Sequence, residues 1–256
     1  MPEAPYEVRH ASGPIPAELC AVESLLARPG TTVLKESPRV TVARARIDDR
    51  DLVFKRFRDH TVTRGLVVAA LGSSAARVWR AATLMRNAGF SVPEPVAALE
   101  RRRFGIALRS CAVVCRVAGP ALDDLWRSRG GGARRRLTLA FADYLRRLHA
   151  AGLYPQDLRA ANVVVAREDP PEFVLVDLDR VRRYRRLSWR RRRKNLVQVH
   201  RSVGRGAPLR DSVRFLRRYL GVHDRGELRR LAGEINALGA RKDREYARRR
   251  AAGARA

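Results

Sequence analysis

Lysine is the scarce residue of this 256-residue chain. Only Lys35, Lys55, Lys194 and Lys242 occur, which leaves 50 arginines among the 54 basic residues. Cysteine is scarcer still. Cys20, Cys111 and Cys115 form no CxxC pair and match no zinc pattern, which excludes a disulfide framework and a zinc ribbon. Cys111, Val113 and Cys115 alternate in an apolar strand, so ordinary burial in a reducing cytoplasm is expected. No apolar run approaches the ~18 residues of a membrane span; the longest, Gly65 to Gly72, is far too short. The N-terminus, Met1-Pro2-Glu3-Ala4-Pro5, lacks the basic-then-apolar pattern of a secretion signal. Acidic residues are few, and the net charge is +28. Such a field favours polyanionic partners: nucleic acid, an anionic leaflet or a phosphorylated substrate. Part of it is also what drift toward arginine in a GC-rich genome would leave. Aromatics, at 6%, are thin for base stacking, which weighs against nucleic acid as a partner.

What the chain does contain is enough apolar residue, 45%, for one large domain or two joined lobes. Its most informative stretch holds two aspartates twenty residues apart. Tyr154-Pro155-Gln156-Asp157-Leu158-Arg159-Ala160-Ala161-Asn162 leads into the apolar run Val163-Val164-Val165. A turn and a second run, Phe173-Val174-Leu175-Val176, then reach Asp177. An Asp followed by Asn five residues later, then a hairpin and another Asp, is the layout of a kinase catalytic loop and its metal-binding Asp. γ-Phosphoryl transfer needs a carboxylate near the attacking hydroxyl and hard oxygen ligands for Mg²⁺ that straddle the phosphates. Asp157 reads as the base, with Asn162 and Asp177 as metal ligands. Upstream, Asp51-Leu52-Val53-Phe54-Lys55-Arg56-Phe57 alternates as a strand with a lysine at its centre. In a chain this rich in arginine, that lysine reads as selected for a compact ammonium head, suited to the ATP phosphates.

Order along the chain agrees. Residues 1–30, with Pro2, Pro5, Pro14 and Pro16, read as a leader before a short helix near Leu25. Strands follow at Thr31–Leu34, Val40–Ala45 and around Lys55. Ser73 or Ser74 can cap a helix reaching Ala88, with Ala75, Val78, Ala82 and Met85 on one face and Gly89 ending it. After Val92-Pro93-Glu94-Pro95 two more strands are expected, around Ile106 and Val113. Gly119-Pro120 reads as the crossing between lobes. Leu137, Phe141, Tyr144, Leu145 and Leu148 mark an amphipathic helix leading into the Asp157 loop. Three helical stretches close the chain, before a basic tail over 241–256. From Arg182 to Lys194, nine of thirteen residues are Arg or Lys. This segment, Arg190, Arg191, Arg192 and Arg193 above all, reads as a platform for an acceptor's phosphates and an anionic membrane surface, with Leu187 and Trp189 entering the interface.

These segments together resemble the lipopolysaccharide core kinases, the Kdo kinase/WaaP family, which are similar to reduced protein kinases of the RIO group. The resemblance rests on Val53 to Phe57; on Ser74 to Trp79 with Asn87 to Pro93; on Leu148-His149-Ala150-Ala151-Gly152-Leu153 into Asp157 and Asn162; and on Val176-Asp177-Leu178-Asp179-Arg180. It rests also on Arg193-Lys194-Asn195-Leu196 with Asp211 to Leu220, which have no counterpart in generic protein kinases. It implies an α+β, two-lobed kinase-like fold: an N-lobe over 31–118 with a small antiparallel sheet and one main helix, and a mostly helical C-lobe over 119–240. It implies ATP and Mg²⁺ as cofactors. The acceptor would be an inner-core sugar, Kdo or heptose, on a lipid A-linked core oligosaccharide at the cytoplasmic face of the inner membrane. Three positions depart from the family pattern. Pro155 stands where the loop usually has His, and Val78 where the helix has the Glu that pairs with the lysine. The hairpin Leu34 to Val40 has no glycine for close approach to phosphate. These leave open a catalytically weak or inactive module that binds lipopolysaccharide precursors, and the +28 charge leaves open a RIO-type kinase associated with nucleic acid.

Overall fold

The structure, a computed structural model, describes residues 6–58, 72–103, 106–203 and 208–253. The apolar run from Gly65 lies outside the described residues as far as Leu71, as do Met1 to Pro5 and the end of the basic tail. The chain forms two compact units, Met1–Val117 with Val176–Arg180, and Ala118–Leu175 with Val181–Ala256.

The first unit is built on a six-stranded antiparallel sheet in the order β1-β5-β6-β4-β3-β2. Its strands are β1 (Glu7–Ala11), β2 (Thr32–Glu36), β3 (Val40–Ile47), β4 (Arg50–Arg58), β5 (Pro95–Arg103) and β6 (Ile106–Cys115). The two strands expected around Ile106 and Val113 are one strand, β6, and its partner is β5, directly after Pro93-Glu94. Period-2 alternation gives the sheet two faces. Leu52 and Phe54 of β4, Leu99 of β5 and Cys111 and Val113 of β6 point one way, into a core with Tyr6, Leu19, Val22 and Leu25. The other face carries α2 (Ser74–Asn87), whose Ser73 side chain accepts from Ala76 N at 3.1 Å, a cap that contributes ~1 kcal/mol. Ala75, Val78, Ala82 and Met85 are its buried stripe, and Gly89 ends it at φ 78°.

The stretch read as a leader is part of this unit. Glu7 to Ala11 pair with β5 as an edge strand, and a 3₁₀ turn (Ala17–Cys20) and α1 (Val22–Ala27) cover the sheet. Glu23 of α1 bonds Arg56, accepts from Arg109 at 3.1 Å and accepts from the Tyr6 hydroxyl at 3.2 Å. Edge pairing needs only backbone, so a strand without apolar alternation escapes pattern reading.

The second unit has α3 (Leu122–Ser128), α4 (Gly131–Ala150), β7 (Leu153–Pro155), the hairpin β8 (Val163–Glu168) and β9 (Pro171–Leu175), and β10 (Val181–Arg183), which pairs with β7. Helices α5 (Trp189–Val203), α6 (Leu209–Leu220) and α7 (Arg225–Gly253) follow. The segment expected as a tail from residue 241 continues α7 to Gly253. Leu137, Phe141, Tyr144, Leu145 and Leu148 are the buried face of α4, as their spacing predicts. Phe141 meets Phe173 edge-on at 5.3 Å, tying α4 to the hairpin that follows Asn162. Gly119-Pro120 lies in this unit: Val165 N donates to Pro120 O at 3.0 Å. A Cβ at Gly119, φ 128°, would sit 2.2 Å from Val165 O, so only glycine fits.

Candidate active site

Lys55 lies at the centre of β4, paired to Val42 of β3 and Ala112 of β6. Its side chain shares the α2 face of the sheet, where Ala75 N donates to Ser110 Oγ at 3.2 Å. Helix α2 carries no carboxylate, and Val78 is buried where one is expected. The partner comes instead from the short segment after β9. Lys55 Nζ donates to Asp177 Oδ1 and, at 2.9 Å, to Asp179 Oδ1. All three side chains are less than a third exposed. Burial by itself would lower the Lys55 pKa; the two carboxylates outweigh it and the pKa is raised, so the lysine stays charged. Asp177 is pushed up, by burial first and then by the hydrogen bond it shares with Asp179. Asp179 is held down: its own burial is outweighed by the Asp177 hydrogen bond and by Lys55.

Two carboxylates facing one ammonium carry a charge deficit that suits a second cation. Among the described residues no group of three or more His, Cys, Asp or Glu holds a metal by itself. Mg²⁺ asks for less, one or two carboxylates with phosphate and water oxygens completing an octahedron, so the Asp177–Asp179 pair fits it. The turn between β2 and β3 is closed by serine rather than glycine, with Val40 N donating to Ser37 Oγ at 3.1 Å.

In the second unit, β7 delivers the chain into the Asp157 loop. Gly152, φ 74°, makes that entry possible: a Cβ there would lie 2.0 Å from Tyr184 O. Asn162 sits at the end of a 3₁₀ turn (Ala160–Asn162) and donates from Nδ2 to Asp157 O at 3.1 Å. Its Nδ2 thus ties the loop, which leaves Oδ1 as the atom for a cation. The Asp157 carboxylate, 34% exposed, accepts from Arg159 Nε at 2.9 Å. The structure therefore brings Lys55 and Asp177 together in one unit, and Asp157 and Asn162 together in the other. Asp179, which pairs with Lys55, and Arg159, which pairs with Asp157, were not among the residues sequence reading assigned to the site. Asp179 had a signal, the Asp-Leu-Asp alternation that points both carboxylates the same way.

The four arginines of the expected platform fall within the first five residues of α5 and do not form one free patch. Arg191 lies over the Tyr184 ring at 4.0 Å and Arg193 bonds Glu234 at 2.6 Å. Arg190 and Trp189 are exposed, whereas Leu187, expected to enter a lipid interface, is buried in the protein.

Comparison with known proteins follows this geometry. The Lipopolysaccharide kinase (Kdo/WaaP) family matches residues 33–219. Among solved structures, WaaP in complex with acyl carrier protein is 24% identical, at a TM-score of 0.62, over 88% of this chain and 92% of that one. That likeness shows a shared fold. A Stt7 homolog from Micromonas algae, soaked with ATP, is 15% identical at a TM-score of 0.45, over 71% of this chain and 55% of that one. No curated protein matches the chain.

Proposed function

The chain belongs to the lipopolysaccharide kinase (Kdo/WaaP) family, and from that premise we propose that it transfers the γ-phosphoryl group of ATP to a hydroxyl of an inner-core sugar, Kdo or heptose, on a lipid A-linked core oligosaccharide. The observation that carries this reading is Lys55 held between Asp177 and Asp179. Part-burying three charges carries a desolvation cost, and perturbed charge clusters of this kind gather at functional sites. Lys55 would bind the α/β-phosphates. Asp177, with Asp179 beside it and with Asn162, would hold Mg²⁺, which when bound neutralises charge on the transferring group. Asp157 would accept the proton of the attacking hydroxyl. Arg159, which pairs with Asp157 at 2.9 Å, would supply a cation to the phosphoryl oxygens. The missing helix carboxylate is no obstacle to activity on this reading, because Asp177 and Asp179 orient Lys55 in its place.

The acceptor is membrane-linked, so the protein would work peripherally, on the cytoplasmic face of the inner membrane, with exposed Arg190 and Trp189 as anchors. WaaP is seen in complex with acyl carrier protein, and a protein of that kind is proposed as a further partner.

A thermal shift with Mg-ATP separates a kinase from a module that does not use nucleotide. Ligand at a hundred times its Kd adds about 2.7 kcal/mol, or roughly 5–10 °C for a chain of this size. No shift with Mg-ATP, alongside a shift with lipid A-linked core, would favour the binding module.

A further inference from the structure

Three segments of sequence are unused by the chemistry above: Leu148-His149, Lys194-Asn195-Leu196 and Arg218-Tyr219. They come from α4, α5 and α6, and in the second unit they meet. His149, Asn195 and Tyr219 are all buried, at 2%, 0% and 4% exposure. The Tyr219 hydroxyl lies 2.6 Å from His149 Nδ1, and His149 Nε2 lies 3.0 Å from Asn195 Oδ1. Asn195 Nδ2 donates to Pro155 O at 2.7 Å and to Gln198 Oε1 at 2.8 Å. Gln198 Nε2 then donates to Gln156 O at 2.8 Å. One turn further, Ser202 Oγ accepts from Ala160 N at 2.8 Å.

The direction of every bond follows from the end. Carbonyls only accept, so both amide nitrogens are donors. Asn195 Oδ1 must then accept, which places the imidazole hydrogen on Nε2 and a lone pair on Nδ1 for the Tyr219 O–H. This needs a neutral ring, and burial lowers the His149 pKa from 6.5 to about 4. Asn195, Gln198 and Ser202 stand at i, i+3 and i+7, one face of α5. That face grips the chain on both sides of Asp157, at the carbonyls of Pro155 and Gln156 and at the amide of Ala160. Pro155 has no N–H, so its carbonyl is the handle its backbone offers.

We propose that Asn195 and Gln198 are positioning residues for Asp157, and that the Tyr219–His149 pair acts through Asn195 by fixing the orientation of its amide. The proposal rests on the phosphotransfer reading above, with Asp157 as base. A rigid α5 face takes over the bracing that a histidine at position 155 would otherwise give. Misplacing a catalytic group by about 1 Å costs up to ~100-fold in rate, and these bonds set its position at that scale.

The test uses the full chain with Gln198→Met, Asn195→Leu, His149→Leu and His149→Gln, read in two ways. Hydrogen exchange at amides 156–162 reports loop placement without reference to transfer. Steady-state kinetics with Mg-ATP and lipid A-linked core report kcat and KM. We expect Gln198→Met, Asn195→Leu and His149→Leu to speed loop exchange while α4 stays protected, and to lower kcat at least ~10-fold with the KM for ATP unchanged. His149→Gln, which keeps a donor near Nε2, should restore most of kcat. Unchanged loop exchange in Gln198→Met overturns the proposal, as does a wild-type kcat in Asn195→Leu. If the wild type transfers nothing yet loop exchange rises in the variants, the brace stands and the phosphotransfer reading fails.

Discussion

Lys55, Asp177 and Asp179 form a unit of charge whose members cannot be removed singly without cost. Lys55→Met leaves two part-buried carboxylates facing each other, and we expect it to lower stability by about 2 kcal/mol and to slow transfer. Asp179→Asn keeps the charged lysine paired through Asp177 and removes only one carboxylate; it should weaken Mg-ATP binding less than Asp177→Asn does. Melting temperatures with and without Mg-ATP check both, and equal losses for Asp177→Asn and Asp179→Asn would contradict the division of roles. His149 sets a pH dependence of its own. Its folded-state pKa, about 4 against 6.5, means that the unfolded chain binds the proton more readily. Its contribution to stability is therefore full above pH 6.5 and is lost as pH falls through that window toward 4, by up to about 3 kcal/mol. Denaturant titrations at pH 7.5 and 4.5 should show a smaller difference for His149→Gln than for the wild type.

At the scale of elements, the segment before β2 is where reading and structure part. Residues 6–27 supply Tyr6, Leu19, Val22 and Leu25 to the core of the first unit, at ~1.5–3 kcal/mol for each large side chain buried. A chain lacking residues 1–30 should fail to fold or melt far below the full chain; a soluble truncation with the same melting temperature would contradict this. Helices α2 and α4 were legible, because Ser73 and Gly89 bracket one and a five-residue apolar stripe marks the other. The β8–β9 hairpin was legible from its valines. Edge strand β1 was not, because its Glu7-Val8-Arg9-His10-Ala11 has no apolar face and joins the sheet by backbone pairing with β5. The partners of Lys55 were not, because a contact 122 residues away in sequence leaves no local pattern. The α5 brace was hidden for the same reason: Asn195 and Gln198 look like polar residues on a basic helix until the carbonyls they meet are known. Replacing Arg190 and Trp189 with Gln and Ala should weaken binding to anionic vesicles; unchanged binding would sink the anchoring proposed for that turn.

The molecule as a whole is strongly basic, and its proposed substrates, a nucleotide and a phosphorylated lipid-linked sugar, are anionic. Long-range attraction of this kind raises association rates and is screened within a Debye length of about 8 Å at 0.15 M salt. The kcat/KM for the acceptor should accordingly fall as salt rises, with kcat little changed. The central claim, that Asp157 is the base of a phosphotransferase, is tested by incubating the full chain and its Asp157→Asn variant with radiolabelled ATP, Mg²⁺ and Kdo- or heptose-bearing lipid A precursors. The wild type should label the lipid-linked sugar, and Asp157→Asn should do so ~10²–10⁴-fold more slowly while keeping the full Mg-ATP thermal shift. Labelling by Asp157→Asn at the wild-type rate would contradict the assignment.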